Sequence, residues 1–561
     1  MPKRALLGGV FICFWLGLQP LYAGEPSRAA DAVASARPAA TEAGMAMLAQ
    51  GGNAFDAAVA VAAALAVVEP YGSGLGGGGF WLLRPAAGEA IMVDGRETAP
   101  LAAEATLYQD ASGQVQRSLS LDGPLAAGIP GMPAALVHIA AAYGDLPLRR
   151  TLAPAIRLAR EGFAVDEAYQ RRARFRQAVL LQSPAAAAVF LDDGAVPAQG
   201  SSIRQPELAA TLERLAAKGR DGFYEGPVAE RLVTGVRAAG GIWQARDLRD
   251  YRVVERQPIR GTYHGMQVIS AAPPSSGGVV LVEALNILSG YRLEQVGKAT
   301  RIHLVTEAMR RAYRDRAAYL GDPDFIDMPL DRLLHPHYAA GLRAGIAMDR
   351  ATPSETLAAI PMPDNNQGRD TTHYSVLDAA GNAVAATLSI NYPFGSGFMP
   401  PGTGVLLNDE MDDFVAKPGV PNAYGLIGNT ANAIAPGKRM LSSMSPTIVS
   451  GAERLAILGT PGGSRIISMV LLASLAFAEG ADVDTLVSLP RYHHQFLPDR
   501  LQFEANAWST AIRQRLTDMG HQFDPMRRQY GDMQAIIWDQ QAGEVTAASD
   551  PRGQGRADVA P

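Results

Sequence analysis

The residue in this 561-residue chain with the most to offer chemically is a threonine, Thr371, and its neighbourhood explains why. A threonine hydroxyl is a weak nucleophile until a base lies within hydrogen-bond reach, and a chain-terminal α-amine can be that base. The unperturbed amine has a pKa of about 8, so a useful fraction is unprotonated near neutrality. Thr371 gains such an amine only if the Asp370–Thr371 bond is cut, and the surrounding sequence suits that event. Upstream, 349–370 is rich in Thr, Ser, Pro, Asp, Asn and Gly and has no apolar periodicity, so it reads as a loop or tether. Downstream, 371–377 and 383–390 read as two strands joined by the turn 378–382. Taken alone, a threonine at a strand start is structural in most chains.

Other chemistries are excluded more easily. Gly72 to Gly77 matches G-x-G-x-x-G, but a helix precedes the glycines and a strand follows them, the reverse of a dinucleotide site. No Lys-Ser/Thr follows either, so close backbone packing is the better account. Neither His335/His337 nor His493/His494 has the i, i+4 spacing of a zinc hydrolase, and no metal or other cofactor is expected. No G-x-S-x-G elbow is present. The single cysteine, Cys13, lies in the N-terminal apolar run, so the chain beyond that run has neither thiol chemistry nor disulfides. A net charge of -5 argues against a general nucleic-acid binder.

The elements that must position Thr371 are partly visible. Lys3-Arg4, an apolar run to Leu18 and Leu21-Tyr22-Ala23 read as a signal peptide at 1–23, too short to span a bilayer. That predicts a periplasmic or secreted protein with no membrane span once the signal is removed. Thr41-Glu42 opens a helix that Gly51-Gly52 ends. Asn53 and Asp56 cap the next, apolar on every face from Ala57 to Val68 and therefore buried on all sides. Phe80 to Leu83 reads as a strand, and 152–160, 206–218 and 301–320 as helices.

Around these elements the sequence resembles the γ-glutamyltransferases, members of the N-terminal-nucleophile hydrolase superfamily. Thr371-Thr372-His373-Tyr374-Ser375 resembles the start of that family's small subunit. DGRETAP at 94–100, GVLLNDEMDDF at 404–414, KRMLSSMSPT at 438–447 and TPGGSRII at 460–467 follow in the family's order. GGNAFD at 51–56, 273–278 and 418–424 add to the resemblance, which covers nearly all of the chain beyond 23.

The resemblance implies an α+β fold, a four-layer αββα sandwich formed jointly by two autocleavage products, 24–370 and 371–561. It implies that Thr371 is the nucleophile, Ser389 its support where many members have threonine, and Gly462 and Gly463 the oxyanion hole. Arg96, with Ser442 and Ser443, resembles the ligand set for a substrate α-carboxylate, a role that a forked guanidinium suits. Glu410, Asp413 and Asn391 resemble the set that receives the α-ammonium, and Tyr424 falls in a lid. The implied activity is γ-glutamyl transfer from glutathione and related compounds to water, amino acids or peptides. The alternatives are a glutaryl or cephalosporin acylase on the same scaffold, or an uncleaved exported binding protein without chemistry.

Overall fold

The structure, a computed structural model, describes residues 29–357 and 371–561. The expected signal at 1–23, Asp370 and the later part of the 349–370 tether lie outside the described residues.

The chain is α+β, and its organising element is the predicted hairpin. Strands Thr372–Leu377 and Ala383–Ser389 pair antiparallel, with Leu388 opposite Thr372. Both are buried along their whole length, polar Thr372, His373 and Ser375 included. They form the centre of an antiparallel seven-stranded sheet. Its order is Arg556–Val559, Ala32–Ser35, Thr372–Leu377, Ala383–Ser389, Gly78–Arg84, Ile91–Gly95 and Val254–Arg256. Strands from both sides of residue 371 therefore share one sheet.

A second antiparallel sheet runs Glu544–Ser549, Gln534–Asp539, Arg454–Gly459, Thr447–Ser450, Met266–Ser270 and Ile259–Tyr263. Leu377, Ala383 and Ala385 of the first sheet share an apolar cluster with Ile448, Ile457, Ile536 and Trp538 of the second. On the other face of the first sheet, Tyr374, Val376, Val384 and Ala386 pack with the helix Ala54–Val68. Helices Gly277–Leu288, Lys298–Tyr319 and Ile466–Ala478 pack with Val268, Val449, Ala456 and Leu458 of the second sheet.

Local signals account for the helices. The Asn53 side chain accepts the Phe55 and Asp56 N–H groups while Asp56 accepts that of Asn53, a reciprocal cap. All of Ala54–Val68 is buried, as its apolar circumference requires. The preceding helix spans Pro38–Ala49, three residues ahead of the expected start at Thr41. Proline is pre-shaped for a first helical position, and an extended Arg37 precedes it. The glycine run does pack backbone on backbone. A Cβ on Gly76 would lie 2.0 Å from the Leu406 carbonyl oxygen, and one on Gly77 2.2 Å from that of Ser389. No helix among the described residues is long and apolar enough to cross a membrane.

The stretch expected to be a loose tether from 349 is held firmly as far as it is described. The Thr352 N–H donates to Glu307, and the Ser354 N–H to Asp499 at 2.7 Å. Ser354 is fully buried, and its hydroxyl accepts from Arg310. A polar stretch without periodicity is anchored here by partners distant in sequence.

Candidate active site

The registers explain how separate motifs meet. Thr371 precedes one strand, Ser389 ends its neighbour, Gly78 begins the next opposite Ser389, and Gly95 ends the fourth opposite Gly79. Thr371, Ser389 and Arg96 therefore share one edge of the first sheet. In the second sheet, Gly459 ends the strand that leads to Gly462 and Gly463, and Ser442 and Ser443 precede the adjacent strand. These ends line one cavity, formed by Arg96, Thr371, Ser389, Asn391, Glu410, Asp413, Tyr424, Ser442, Ser443 and Gly463 among others. Of the expected site residues described, only Gly462 is missing from the wall, standing directly behind Gly463.

Thr371 is 7% exposed. Ser389 Oγ accepts the Asn391 N–H at 2.7 Å, so its own proton remains available to another acceptor. Asn391 sits at φ 73°, and its amide donates to the Asp409 carbonyl at 2.9 Å, leaving the side-chain oxygen as the acceptor. Gly462 and Gly463 have φ of 147° and 58° and lead into the helix Ile466–Ala478. The leading N–H groups of a helix lack intrahelical partners and carry partial positive charge. Such groups can hold a developing oxyanion. The Tyr424 ring covers Gly463 so closely that a Cβ there would lie 2.4 Å from Cδ1, and its hydroxyl donates to the Asn391 carbonyl at 3.0 Å.

Arg96 was expected to face a substrate carboxylate while Glu410 and Asp413 faced an ammonium. In the structure Arg96 grips both acids itself, Glu410 at 2.5 Å and Asp413 at 2.6 Å. Glu97, 3.5 Å away, makes a third carboxylate against one guanidinium. Glu410 Oε1 and Glu97 Oε1 are buried without hydrogen-bond partners among the described residues. Burial, reinforced by the Glu410 charge, pushes Glu97 well above the usual carboxylate range. Burial also pushes Asp413 up to about 7, against the opposing pull of Arg96. The cluster holds a proton near neutrality, and Asp413 Oδ1 accepts from Asn422 at 3.2 Å. With the charges drawn together, the cavity holds only about 20 Å3, room for a single water.

Sequence reasoning passed over two groups here. Glu97 lies inside the DGRETAP motif but was given no role. Arg316, buried on the helix Lys298–Tyr319, donates to Ser443 Oγ at 3.3 Å and Ser276 Oγ at 2.9 Å. Nothing in its Ala- and Arg-rich helix distinguishes it from its neighbours. Of the histidines, His335 and His337 are exposed, whereas His493 and His494 are buried. No group of three or more His, Cys, Asp or Glu among the described residues is arranged to hold a metal ion.

The gamma-glutamyltranspeptidase family profile matches residues 40–560. A glutathione hydrolase proenzyme of Pseudomonas sp. (strain A14) is 42% identical over 93% of this chain and 91% of its own length. The glutathione hydrolase proenzyme of Escherichia coli (strain K12) is 41% identical over 93% of this chain and 90% of its own. Among solved structures, cephalosporin acylase from Bacillus halodurans superposes with a TM-score of 0.83 at 27% identity, covering 97% of this chain and 99% of that one.

Proposed function

The chain belongs to the gamma-glutamyltranspeptidase family, and on that footing we propose that it is an autoprocessed γ-glutamyltransferase and glutathione hydrolase with Thr371 as nucleophile. Thr371 Oγ attacks the Asp370 carbonyl carbon, the peptide C–N bond breaks, and the resulting ester is hydrolysed by water. The products are a large fragment ending at Asp370 and a small one beginning with the Thr371 amine. Both contribute strands to the central sheet, which supports a two-chain assembly in the manner of a four-layer αββα sandwich. Lys3-Arg4 and the apolar run to Leu18 support export to the periplasm or medium.

In the processed enzyme the Thr371 amine takes the hydroxyl proton as Oγ attacks the γ-glutamyl carbonyl. The Gly462 and Gly463 N–H groups hold the oxyanion, and the amine then protonates the leaving cysteinylglycine nitrogen. Water, or the amine of an amino acid or peptide, resolves the acyl-enzyme. For the glutamyl group to enter, its α-carboxylate displaces the acids from Arg96, assisted by Ser442 and Ser443. Its α-ammonium lies among Glu410, Asp413 and the Asn391 side-chain oxygen.

The observation that carries this reading is the acid surplus around Arg96, beside Thr371 and Gly463 in one cavity. The resemblance to cephalosporin acylase favours a glutaryl-type acylase as the second reading, but a glutaryl group lacks the ammonium that Glu410 and Asp413 would receive. Wild-type protein should run as two bands on a denaturing gel and hydrolyse γ-glutamyl-p-nitroanilide far faster than glutaryl-p-nitroanilide. Thr371→Ala should leave one band and no turnover. Active wild type in a single band would refute the nucleophile assignment, and a preference for the glutaryl compound would favour the acylase.

A further inference from the structure

A buried guanidinium needs an acid, and the most deeply buried ones here have one. Arg96, Arg310, Arg311 and Arg491 are each no more than 2% exposed, and each pairs with at least one carboxylate. Arg316, in the last turn of the helix Lys298–Tyr319, does not. It is 5% exposed and makes no ion pair among the described residues. Its Nε donates to Ser276 Oγ at 2.9 Å and its Nη2 to Ser443 Oγ at 3.3 Å, both neutral acceptors. Burial pulls it below the usual arginine range, opposed by Tyr313 and Asp413. Asp413, the acid whose field reaches it, is already gripped by Arg96 at 2.6 Å. An unpaired buried charge is costly, and a ligand that supplies the missing charge offsets that cost.

Between Arg316 and the catalytic cavity stand the two serines of the cavity wall. The Ser442 carbonyl accepts from both the N–H and the hydroxyl of Ser276, at 2.8 and 2.7 Å, so the Arg316–Ser276 contact braces the backbone of this turn. Both serine hydroxyls are engaged as acceptors: Ser442 Oγ takes the Met444 N–H at 3.1 Å, and Ser443 Oγ takes Arg316. Each hydroxyl has a single proton, and neither proton has an acceptor among the described residues, so both remain for a ligand. Ser443 lines the same cavity as Arg96. A hydroxyl polarised by a cation behind it is the stronger donor in front.

We propose that Arg316 is a positioning residue for the α-carboxylate of the γ-glutamyl group, a role that rests on the γ-glutamyl reading above. It holds Ser443 with the hydroxyl proton directed at the carboxylate. It also supplies, one serine away, a second positive charge after Arg96. The bound carboxylate is in turn the acid that Arg316 lacks.

The test compares γ-glutamyl-p-nitroanilide with 4-aminobutanoyl-p-nitroanilide, which keeps the amine and the scissile amide but has no α-carboxylate. On processed enzyme, Arg316→Gln should raise KM for the γ-glutamyl compound about ten-fold and leave kcat within about two-fold. Its kcat/KM for the 4-aminobutanoyl compound should stay within about two-fold of wild type. Arg316→Lys, which keeps the charge on a shorter reach, should raise KM about three-fold on the γ-glutamyl compound alone, and it carries the comparison if Arg316→Gln does not fold. In a Ser443→Ala background the cost of Arg316→Gln should shrink to about three-fold, because the hydroxyl it orients is gone. An equal loss on both anilides marks a merely structural role and overturns the proposal, as does an unchanged KM. The same loss with and without Ser443 overturns the part played through that hydroxyl. A wild type that cleaves both anilides equally well refutes the γ-glutamyl reading itself, and the role of Arg316 with it.

Discussion

Replacing Gly463 with alanine probes the proposed oxyanion loop and the tyrosine above it at once. The backbone there has φ 58°, a region that costs a non-glycine residue about 1–2 kcal/mol. The added Cβ would lie 2.4 Å from both Cδ1 and Cε1 of Tyr424. Ordinary van der Waals contact begins near 3.4 Å, so the ring must retreat by roughly 1 Å or the loop must move. Retreat breaks the 3.0 Å bond from the Tyr424 hydroxyl to the Asn391 carbonyl, worth about 1 kcal/mol. Movement of the loop displaces an oxyanion donor, and loss of one such donor costs about 10²–10³ in kcat. The assay is kcat for γ-glutamyl-p-nitroanilide on fully processed protein, with processing followed separately on gels. Gly463→Ala should lose at least about 100-fold in kcat. In a Tyr424→Ala background, where the ring is gone and only backbone strain remains, the same substitution should cost much less. A kcat within three-fold of wild type, or an identical loss in both backgrounds, would refute the reasoning.

Arg96→Ala should raise KM for the anilide by at least about 100-fold, since a bidentate carboxylate partner is lost. It should also lower the melting temperature, because three buried carboxylates lose their cation, a change that costs about 3–5 kcal/mol when a buried pair is broken. Binding of a γ-glutamyl ammonium beside Asp413, whose carboxyl is pushed up to about 7 by burial, should release a proton near neutrality. Titration with a non-hydrolysable γ-glutamyl analogue in buffers of different ionisation heat measures this. Acid should weaken the fold through His494, held down to about 4 by burial and by the Arg310 charge against its bond to Asp499. The unfolded chain takes up that proton below about 6.5 but the folded chain only below about 4, so roughly 3 kcal/mol is lost as pH falls across that window. His494→Gln should flatten this limb in urea unfolding between pH 7 and pH 4.5.

Legibility followed the range of the interactions. The Asn53 cap, the all-apolar helix behind it and the Thr372–Ser389 hairpin are specified within a few residues, and the structure reproduces them almost residue for residue. Asn391, Glu410, Ser442 and Ser443 carry no local signal, and their candidacy rested on resemblance alone. What gathers them is that strand ends of two sheets face the same way, a tertiary fact without a sequence period. Glu97 and Arg316 escaped notice for the same reason. Ser354 misled in the opposite direction, because its polar surroundings suggested a tether while Arg310 and Asp499, far away in the chain, bury it.

The acid surplus also bears on selectivity. Three carboxylates meet one guanidinium beside a cavity of about 20 Å3. A ligand bound as proposed must offer Arg96 a replacement for the acids and the acids a replacement for Arg96. A zwitterionic glutamyl group offers both and leaves the net charge of the cavity unchanged. A glutaryl group brings a carboxylate but no cation, so it must leave Glu410 and Asp413 buried and unpaired, or protonated, at the moment it binds. Uncompensated buried charge is costly enough to separate the two substrates without any difference in shape. Discrimination of this kind weakens as the carboxylates protonate, so the preference for γ-glutamyl over glutaryl compounds narrows as pH falls below about 7.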